Sequence, residues 1–482
     1  MPLFSCPDRA SRYNRLSDDA RRRLCFDNRF VWEVAHQIDY PHRGGAGGRP
    51  NQYPLWVYFL WLVLIHEYGS SRKVEEAFED SGHSPWHLIR QAAQRRFSED
   101  RPDLVPPKTP PTRNQFNYAL KHHLPANAGI IAEVVREQSR RTAAAMGLGT
   151  ADAAGSLSRP TRQRVAYGDV TVMTARTRRL RKEAREVDPD TGEIIIRRHD
   201  PDAALHTTGG GGVASGLPFA FTHLRGSQRN QQIILAIDPV RPQGTSEGHL
   251  VVDQYLEAAQ DLSGLVGYAY DRALRGVHLD RLLKAGHIGL VGVHRSGGKP
   301  ADRYHGLKTH HPTNREPAEV EIHLVGGAPH IRTYDVDGNQ HLQPLHRRRL
   351  NKRLNKATGT YRMSAEYNID GPTGDTDGYI RIRLDHTTED ELTGYNRPEH
   401  LRAFPEDDAV FVDIQKPLRA SAESANRTID DHHPRERLHH FGFTKNQLSM
   451  LAWQTYRNAQ TEAVFAPTLR RSTGDPPLQR AS

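Results

Sequence analysis

The stretch LVGYAYDRALRGVHLDRLLKAGHIGLVGVH, residues 265–294, has the pattern of a strand, a helix and a second strand. A short apolar run over 265–270 meets Asp271 and continues into apolar residues at helical spacing, which end at Gly286. Parallel strands need a crossover such as this helix. The stretch therefore predicts two parallel strands of an α/β sheet, with a carboxylate at the end of the first.

The residues before this stretch extend the sheet. Three short runs bounded by turn residues predict strands over 163–175, 217–224 and 231–240, and residues 247–264 predict a helix. The order of three strands, helix, strand, helix and strand predicts a mixed α/β sheet with a parallel part. The basic, glycine-containing excursion at 177–213 is expected to be flexible.

The N-terminal part predicts helices. Residues 1–53 are polar, and the apolar run 55–66 predicts a buried helix, followed by a second helix that Ser70 or Ser71 can cap. Thr112 and Gln115 form a capping-box pattern for a third helix, and residues 133–148 continue in helix. The third helix has a basic side that includes Arg113 and Lys121. That side indicates either DNA binding or a solvated face of a helical bundle.

Composition favours a polyanionic partner. The chain has 482 residues, and 66 Lys and Arg against 57 Asp and Glu give a net charge of +9. The only cysteines, Cys6 and Cys25, provide neither a disulfide framework nor a cysteine zinc site. The apolar run 54–65 is too short to span a bilayer, and the N-terminus lacks an apolar signal core. We expect a cytoplasmic protein with no membrane partner.

A second interruption of the sheet, at 296–410, predicts a basic, β-rich insertion. It contains a hairpin with its turn at Asp337 and Gly338, and a strand at 378–384. Its densest basic run, HRRRLNKRLNK at 346–356, could follow phosphates or form a solvated helix. The cations of this run are Arg347, Arg348, Arg349, Lys352 and Arg353.

Three acidic residues are candidates for a metal site. Asp169 lies in the first strand and Asp271 ends a later one, so parallel pairing could bring both to one sheet edge, where a divalent cation would relieve their repulsion. Glu423, in a helix expected to begin near Ala420, could supply a third carboxylate. Asp271 could instead cap a helix that begins at Arg272. Glu423 could instead form a surface pair with Arg427. A later helix is predicted over 444–460, with a cap from Thr444 and Gln447, and is expected to lie in the core.

Several motifs together resemble a known family. The stretches YGDVTV, GYAYDRAL, YIRIRLDHTTEDELTGYNRPEHLRAFP and AESANRTIDD resemble DDE transposases of bacterial insertion sequences, in the transposase-4-like group. The helical block from residue 45 resembles the N-terminal DNA-binding region of these proteins. The resemblance covers residues 45–460. It implies a ribonuclease H-like catalytic core and an all-helical DNA-binding domain.

The resemblance also implies a chemistry. Asp169, Asp271 and Glu423 would bind two Mg²⁺ or Mn²⁺ ions, and water would attack a DNA phosphodiester to free a 3′-hydroxyl that then attacks target DNA. Arg419 matches the family's arginine, but Lys416 stands where a tyrosine is expected and Asp430 where a lysine is expected. Those two departures put the handling of the transposon end in question. Lys416, Arg419 and Arg427 are nevertheless expected to contact DNA.

The resulting domain plan has six segments: a polar arm (1–53), a helical DNA-binding domain (54–150), the first part of the catalytic core (160–295), the basic β-rich insertion (296–410), the last core helices (411–465) and a disordered tail (466–482). The expected partners are double-stranded DNA, at element ends and target, and a second copy of the chain. The expected location is the cytoplasm, in association with the nucleoid. Two alternatives are a DNA-binding protein that has lost its chemistry and a nuclease that cuts without joining.

Overall fold

The chain folds as a mixed α/β protein with two compact units. The first unit draws on residues 1–146, 170–244 and 424–482, and the second on 147–169 and 245–423. Each unit is therefore assembled from segments that are far apart in the sequence. The computed structural model describes residues 17–40, 51–80, 84–97, 99–177, 185–196, 198–207, 212–228, 230–294, 303–310, 312, 316–370, 376–431 and 437–466. The predicted tail at 467–482 lies outside these residues.

Helices dominate the N-terminal part of the first unit. They are α1 (Asp18–Phe26), α2 (Arg29–Gln37), α3 (Trp56–Tyr68), α4 (Ser71–Glu79), α5 (Pro85–Phe97), α6 (Arg113–His122) and α7 (Ala128–Ala145). The predicted caps are confirmed. The Ser70 hydroxyl accepts a hydrogen bond from the Lys73 amide at the start of α4, and Thr112 and Gln115 form the capping box of α6.

The segment interpreted as a polar arm contains α1 and α2. Phe30, Val31 and Trp32 of α2 are fully or almost fully buried, in a core that they share with α3. The sequence interpretation averaged the polarity over 53 residues, and the charges that flank this short apolar helix concealed its buried face. The N-terminal helices therefore belong to the core of the first unit.

Strand β1 (Val165–Thr174) begins in the second unit and ends in the first. Within the first unit the Ala175 amide, just beyond the end of β1, donates to the Ser215 carbonyl at 3.0 Å. The remaining strands of this unit are β2 (Arg185–Val187), β3 (Ile194–Ile196), β4 (Ala204–Thr207), β5 (Val213–Arg225) and β6 (Gln232–Pro239). Strand β5 pairs antiparallel with both β4 and β6. The excursion that was expected to be flexible thus contributes three short strands.

The second unit contains the stretch on which the fold prediction was based. Its first elements are α8 (Glu247–Asp261), β7 (Gly267–Ala269), α9 (Gly276–Lys284) and β8 (Ile288–Leu290). Strand β7 pairs parallel with both β1 and β8. Glycine at position 267 allows β7 to lie close to β8, since a Cβ atom there would lie 2.8 Å from the Ile288 side chain. The predicted strand, helix and strand with parallel pairing are confirmed.

The second unit continues as the β-rich insertion. Its strands are β9 (Arg303–His310), β10 (Ala318–Val325), β11 (Ala328–Tyr334), β12 (Gln340–Pro344), β13 (His346–Asn355), β14 (Thr360–Asp370) and β15 (Thr376–Arg383). Strands β9 to β12 form one antiparallel sheet, and β13 to β15 form another. The predicted hairpin turn at Asp337 and Gly338 joins β11 to β12.

The basic run at 346–356 forms strand β13, so the alternative of a solvated helix is wrong. Leu350 of this strand packs into the apolar core of the second unit, and the residues on either side of it are more exposed. Side chains in a strand alternate between two faces. The high density of cations hid this alternation in the sequence.

Four helices follow the last strand of the insertion: α10 (Thr388–Thr393), α11 (Arg397–His400), α12 (Lys416–Asp431) and α13 (Phe443–Phe465). Helix α12 begins at Lys416, four residues earlier than expected, and a π-helical turn precedes it. Helix α13 is largely buried in the first unit, which confirms its predicted core role. Gly442 precedes it, and no side chain caps it, so the predicted cap by Thr444 is wrong. No helix among the described residues has the length and apolar character needed to cross a membrane.

Candidate active site

Two of the predicted acids lie at equivalent positions on neighbouring parallel strands. The last paired residues of β1 and β7 are Tyr167 and Ala269. Asp169 and Asp271 each stand two residues further along, in the same alignment. Asp169 lies in the middle of β1, which continues to Thr174, whereas Asp271 stands just past the end of β7. The fold therefore brings the two carboxylates level with each other where β1 extends beyond β7, within the second unit.

Arg419 connects the first acid to helix α12. Its Nη1 donates a hydrogen bond to Asp169 Oδ1 at 3.0 Å. The Asp169 side chain is 15% exposed and that of Arg419 is 27% exposed. A charge-assisted hydrogen bond in such a half-buried setting is stronger than one in open solvent. This ion pair fixes the first turn of α12 against the middle of β1.

The electrostatic field at Arg419 links all three predicted acids. Burial opposes the charge of this guanidinium, but the attraction of Asp169, Asp271 and Glu423 outweighs burial and raises its pKa. Glu423 lies one helical turn beyond Arg419, with Oε1 at 4.0 Å from Arg419 Nη2. Asp169 therefore contacts Arg419 directly, Glu423 lies at the limit of an ion pair, and Asp271 acts on the guanidinium only through longer-range attraction.

Glu423 is the most accessible of the three acids, with 70% of its side chain exposed. Its only ion pair within the described residues is the long one with Arg419. The alternative surface pair with Arg427 does not form, and Arg427 is itself exposed. The side chain of Asp430, which departs from the family pattern, lies outside the described part of the structure.

Asp271 closes a turn and does not cap a helix. Its Oδ1 accepts a hydrogen bond from the Ala273 amide at 2.8 Å. Helix α9 begins only at Gly276, so the interpretation of Asp271 as the cap of a helix from Arg272 is wrong. A short turn separates the strand from the helix, and this turn holds the Asp271 carboxylate at the sheet edge.

A fourth carboxylate, Glu247, was missed by the sequence analysis. It is the first residue of α8, and its Oε1 accepts a hydrogen bond from the Tyr270 hydroxyl at 2.8 Å. Burial is the main cause that raises the Glu247 pKa, and repulsion from Asp271 and Asp169 adds to it, against the Tyr270 hydrogen bond. Glu247 is also the first residue of the helix predicted over 247–264, and that position was the signal available in the sequence.

The predicted DNA-binding cations divide into groups. Lys416 and Arg427 are exposed on α12, and Arg348, Arg349 and Arg353 are exposed on β13. The other two cations of β13 differ from each other, because Lys352 is exposed and Arg347 is largely buried. Arg347 is 11% exposed, binds Asp408 at 3.0 Å and lies over the Phe404 ring, while Lys352 lies over the Tyr361 ring.

Arg113 and Lys121 belong to the first unit and are exposed on α6. The Arg113 amide donates to Glu75 at 2.7 Å, and its guanidinium lies 3.8 Å from the same carboxylate. Part of the predicted basic side of α6 is therefore neutralised by an acid of α4. Lys121, the other predicted cation of α6, forms no ion pair within the described ranges.

The donor set can be tested against the metal that the resemblance implies. Asp169, Asp271 and Glu423 offer carboxylate oxygens, which are the ligands that Mg²⁺ and Mn²⁺ prefer. Among the described residues no three His, Cys, Asp or Glu side chains are close enough together to form a coordination shell. At Asp169 the Arg419 guanidinium supplies the positive charge that balances the carboxylate. The three acids are the right kind of ligand for a hard divalent cation, but Arg419 is bound to one of the oxygens that would coordinate it.

The comparisons with known proteins give no further assignment. No protein-family model matches the chain, and no curated protein is similar to it.

Proposed function

We propose that this protein is a metal-dependent DNA transposase that cleaves DNA at the ends of its own element and joins the freed 3′-hydroxyl to target DNA. One observation carries the proposal. Asp169 and Asp271 stand at aligned positions of neighbouring parallel strands, and Arg419 of α12 binds Asp169 and lies one helical turn from Glu423. Carboxylates brought together from separate elements are a common arrangement for phosphoryl-transfer chemistry.

The order of the elements also supports the proposal. Strand β1 is followed by the antiparallel pair β5 and β6, then by α8 and the parallel strands β7 and β8. The third acid follows on α12, after the β-rich insertion. This succession agrees with a ribonuclease H-like core, which is part of the proposal.

Each residue has a proposed role. Asp169, Asp271 and Glu423 would hold two Mg²⁺ or Mn²⁺ ions, which when bound would activate the attacking oxygen and stabilise the leaving one. Arg419 offers a planar set of N–H donors that suits a phosphate group. Glu247 and its Tyr270 partner support the Asp271 side of the site.

Strand cleavage tests the proposal. The substrate is a plasmid that carries the DNA flanking the gene, incubated with Mg²⁺ or Mn²⁺. The near-isosteric variants Asp169→Asn, Asp271→Asn and Glu423→Gln should each reduce nicking by more than about 100-fold, because each removes a metal ligand. Asp253→Asn is the matched control, since Asp253 is a half-exposed carboxylate of the same unit that pairs with Arg281. Native cleavage rates in all three site variants would refute the proposal.

The ion pair between Arg419 and Asp169 favours a second candidate, a DNA-binding protein without chemistry. An arginine that permanently neutralises Asp169 would keep a metal from that oxygen. This candidate predicts DNA binding by the native chain without strand scission in any divalent metal. The nuclease alternative is separated by the products, since a nuclease yields cut DNA and no joined DNA.

A further inference from the structure

One face of the sheet formed by β13, β14 and β15 is rich in arginine. The opposite face, which includes Leu350, Met363 and Ile382, is buried in the core of the second unit. Strand alternation places the cations on the outward face, together with Arg348 at a bulge in β13. We call this surface the arginine face, and it comprises Arg348, Arg349, Arg353, Arg362, Arg381 and Arg383.

Two buried acids hold three of these arginines in place. Glu366 is fully buried, and it binds Arg349 and Arg381, its direct neighbours on the two flanking strands, each at 2.6 Å. Asp385, also buried, accepts from Arg383. Arg349 and Arg381 nevertheless keep 55% of their side chains exposed. Their guanidinium groups are therefore oriented in advance, yet they remain accessible.

Arg353 and Arg362 have a different arrangement. They are directly opposite each other on β13 and β14, and both are exposed. Within the described ranges neither forms an ion pair. Like charges directly opposite on neighbouring strands destabilise a sheet. The repulsion between Arg353 and Arg362 would be relieved by an anion bound between them.

The arginine face carries six positive charges against the two negative charges of Glu366 and Asp385. The Arg348 guanidinium also lies over the Tyr379 ring, which adds an aromatic group to the surface. Arginine is the residue best suited to phosphate recognition. A basic surface of this kind on a protein of net charge +9 complements a polyanion with regularly spaced phosphates.

We propose that the arginine face binds the phosphate backbone of double-stranded DNA. The inference rests on the proposed function for the identity of the polyanion. It changes the set of contacts expected from the sequence, because Arg381 and Arg383 join it. Arg347 leaves it because it is largely buried against Asp408. Lys352 leaves it because it lies opposite Met363 on the other face of the sheet. Contacts to phosphates position DNA and add affinity without reading its sequence.

The salt dependence of DNA binding tests this inference. The double variant Arg353→Gln/Arg362→Gln should reduce the slope of log affinity against log salt by about 2, since each lost phosphate contact removes about 0.9. Affinity should fall equally for element ends and for unrelated duplexes. The melting temperature should stay the same or rise, because the repulsive pair is removed. A merely structural role predicts a lower melting temperature and an unchanged slope.

A matched control separates this face from net charge. Arg281→Gln/Lys284→Gln also removes two charges, from partly exposed cations of α9 in the same unit that pair with Asp253 and Asp280. This control should leave the slope unchanged. An unchanged slope in the Arg353/Arg362 variant, an equal loss in the control, or a loss confined to RNA would each overturn the inference. All binding is measured in the Asp271→Asn background, so the result does not depend on whether the native chain cleaves DNA.

Discussion

At the residue scale, Arg419 determines the electrostatic balance of the candidate site. Its positive charge lies among acids that would otherwise repel one another, with Asp169 at 3.0 Å. Such a guanidinium competes with a divalent cation for the same carboxylate oxygens. The state of Arg419 is thus expected to govern metal binding.

Arg419→Gln should tighten Mn²⁺ binding roughly 5- to 10-fold. The metal would no longer compete with the guanidinium charge, nor with its hydrogen bond to Asp169, which is worth about 1 kcal/mol or more. Isothermal titration calorimetry with Mn²⁺ provides the measurement. Arg427→Gln, at an exposed position of the same helix, is the control and should leave Mn²⁺ affinity unchanged. Weaker Mn²⁺ binding by Arg419→Gln would contradict competition between the guanidinium and the metal.

A buried histidine predicts sensitivity to acid. His223 is almost fully buried, and burial lowers its pKa to about 3. Since the folded pKa lies below the unfolded value near 6.5, the unfolded state binds the proton more readily between these values. Stability should therefore fall as the pH drops from about 6.5 towards 3, by up to about 1.4 kcal/mol per pH unit from this group.

Urea unfolding between pH 7 and pH 4 measures this effect. His223→Gln should flatten the pH dependence of the free energy of unfolding, because the titrating ring is gone. The exposed His36, changed to Gln in the same way, should leave the pH dependence as it is in the native chain. Parallel curves for the native chain and His223→Gln would show that His223 is not responsible.

At the scale of single elements, the clearest local signal is the start of α6. The Gln115 amide donates to the Thr112 hydroxyl, and the Gln115 side chain accepts from the Thr112 amide. Both bonds satisfy groups that would otherwise lack partners at a helix start. The sequence alone predicted this cap because it depends on residues three apart.

Thr112→Ala should destabilise the protein by about 1 kcal/mol, as expected for loss of an N-cap side chain. Thermal unfolding or hydrogen exchange of the α6 amides provides the measurement. Thr112→Ser keeps the capping hydroxyl and should stay close to native stability. Equal losses in the two variants would indicate that the threonine methyl group, and not the hydroxyl, is what matters.

At the scale of the whole molecule, distant segments meet through a buried ion pair in the first unit. Arg29 Nε binds Glu462 Oε2 at 2.9 Å, and both side chains are less than a tenth exposed. The Thr142 hydroxyl donates to the same carboxylate. These contacts join α2, α7 and α13, and more than 400 residues of the chain separate α2 from α13.

Glu462→Leu should destabilise the first unit by about 3–5 kcal/mol, because it leaves the Arg29 charge buried without its counter-charge. The free energy of unfolding, measured in urea, tests this value. The double variant Arg29→Met/Glu462→Leu should recover much of the loss, since neither charge then remains. A single variant within about 1 kcal/mol of native would mean that water reaches Arg29.

Local regularities made much of the fold predictable. The strand, helix and strand at 265–294 and the hairpin at Asp337 and Gly338 follow from the spacing of apolar and turn residues. Strand β13 was ambiguous because its cations obscured the alternation on which strand prediction depends. The two units could not be drawn from the sequence, since each is built from separated segments.

The sequence by itself determined that Asp169 lies within the first strand and that Asp271 follows a later one, because the strand order and the crossover helix are local patterns. Only the tertiary structure decided that Arg419 binds Asp169, that Glu247 joins the acids, and which arginines of β13 face outward. Those contacts bring together residues from distant parts of the chain. Local spacing allows several arrangements of these side chains, and only the packing of distant segments selects one. No local pattern could therefore determine these contacts.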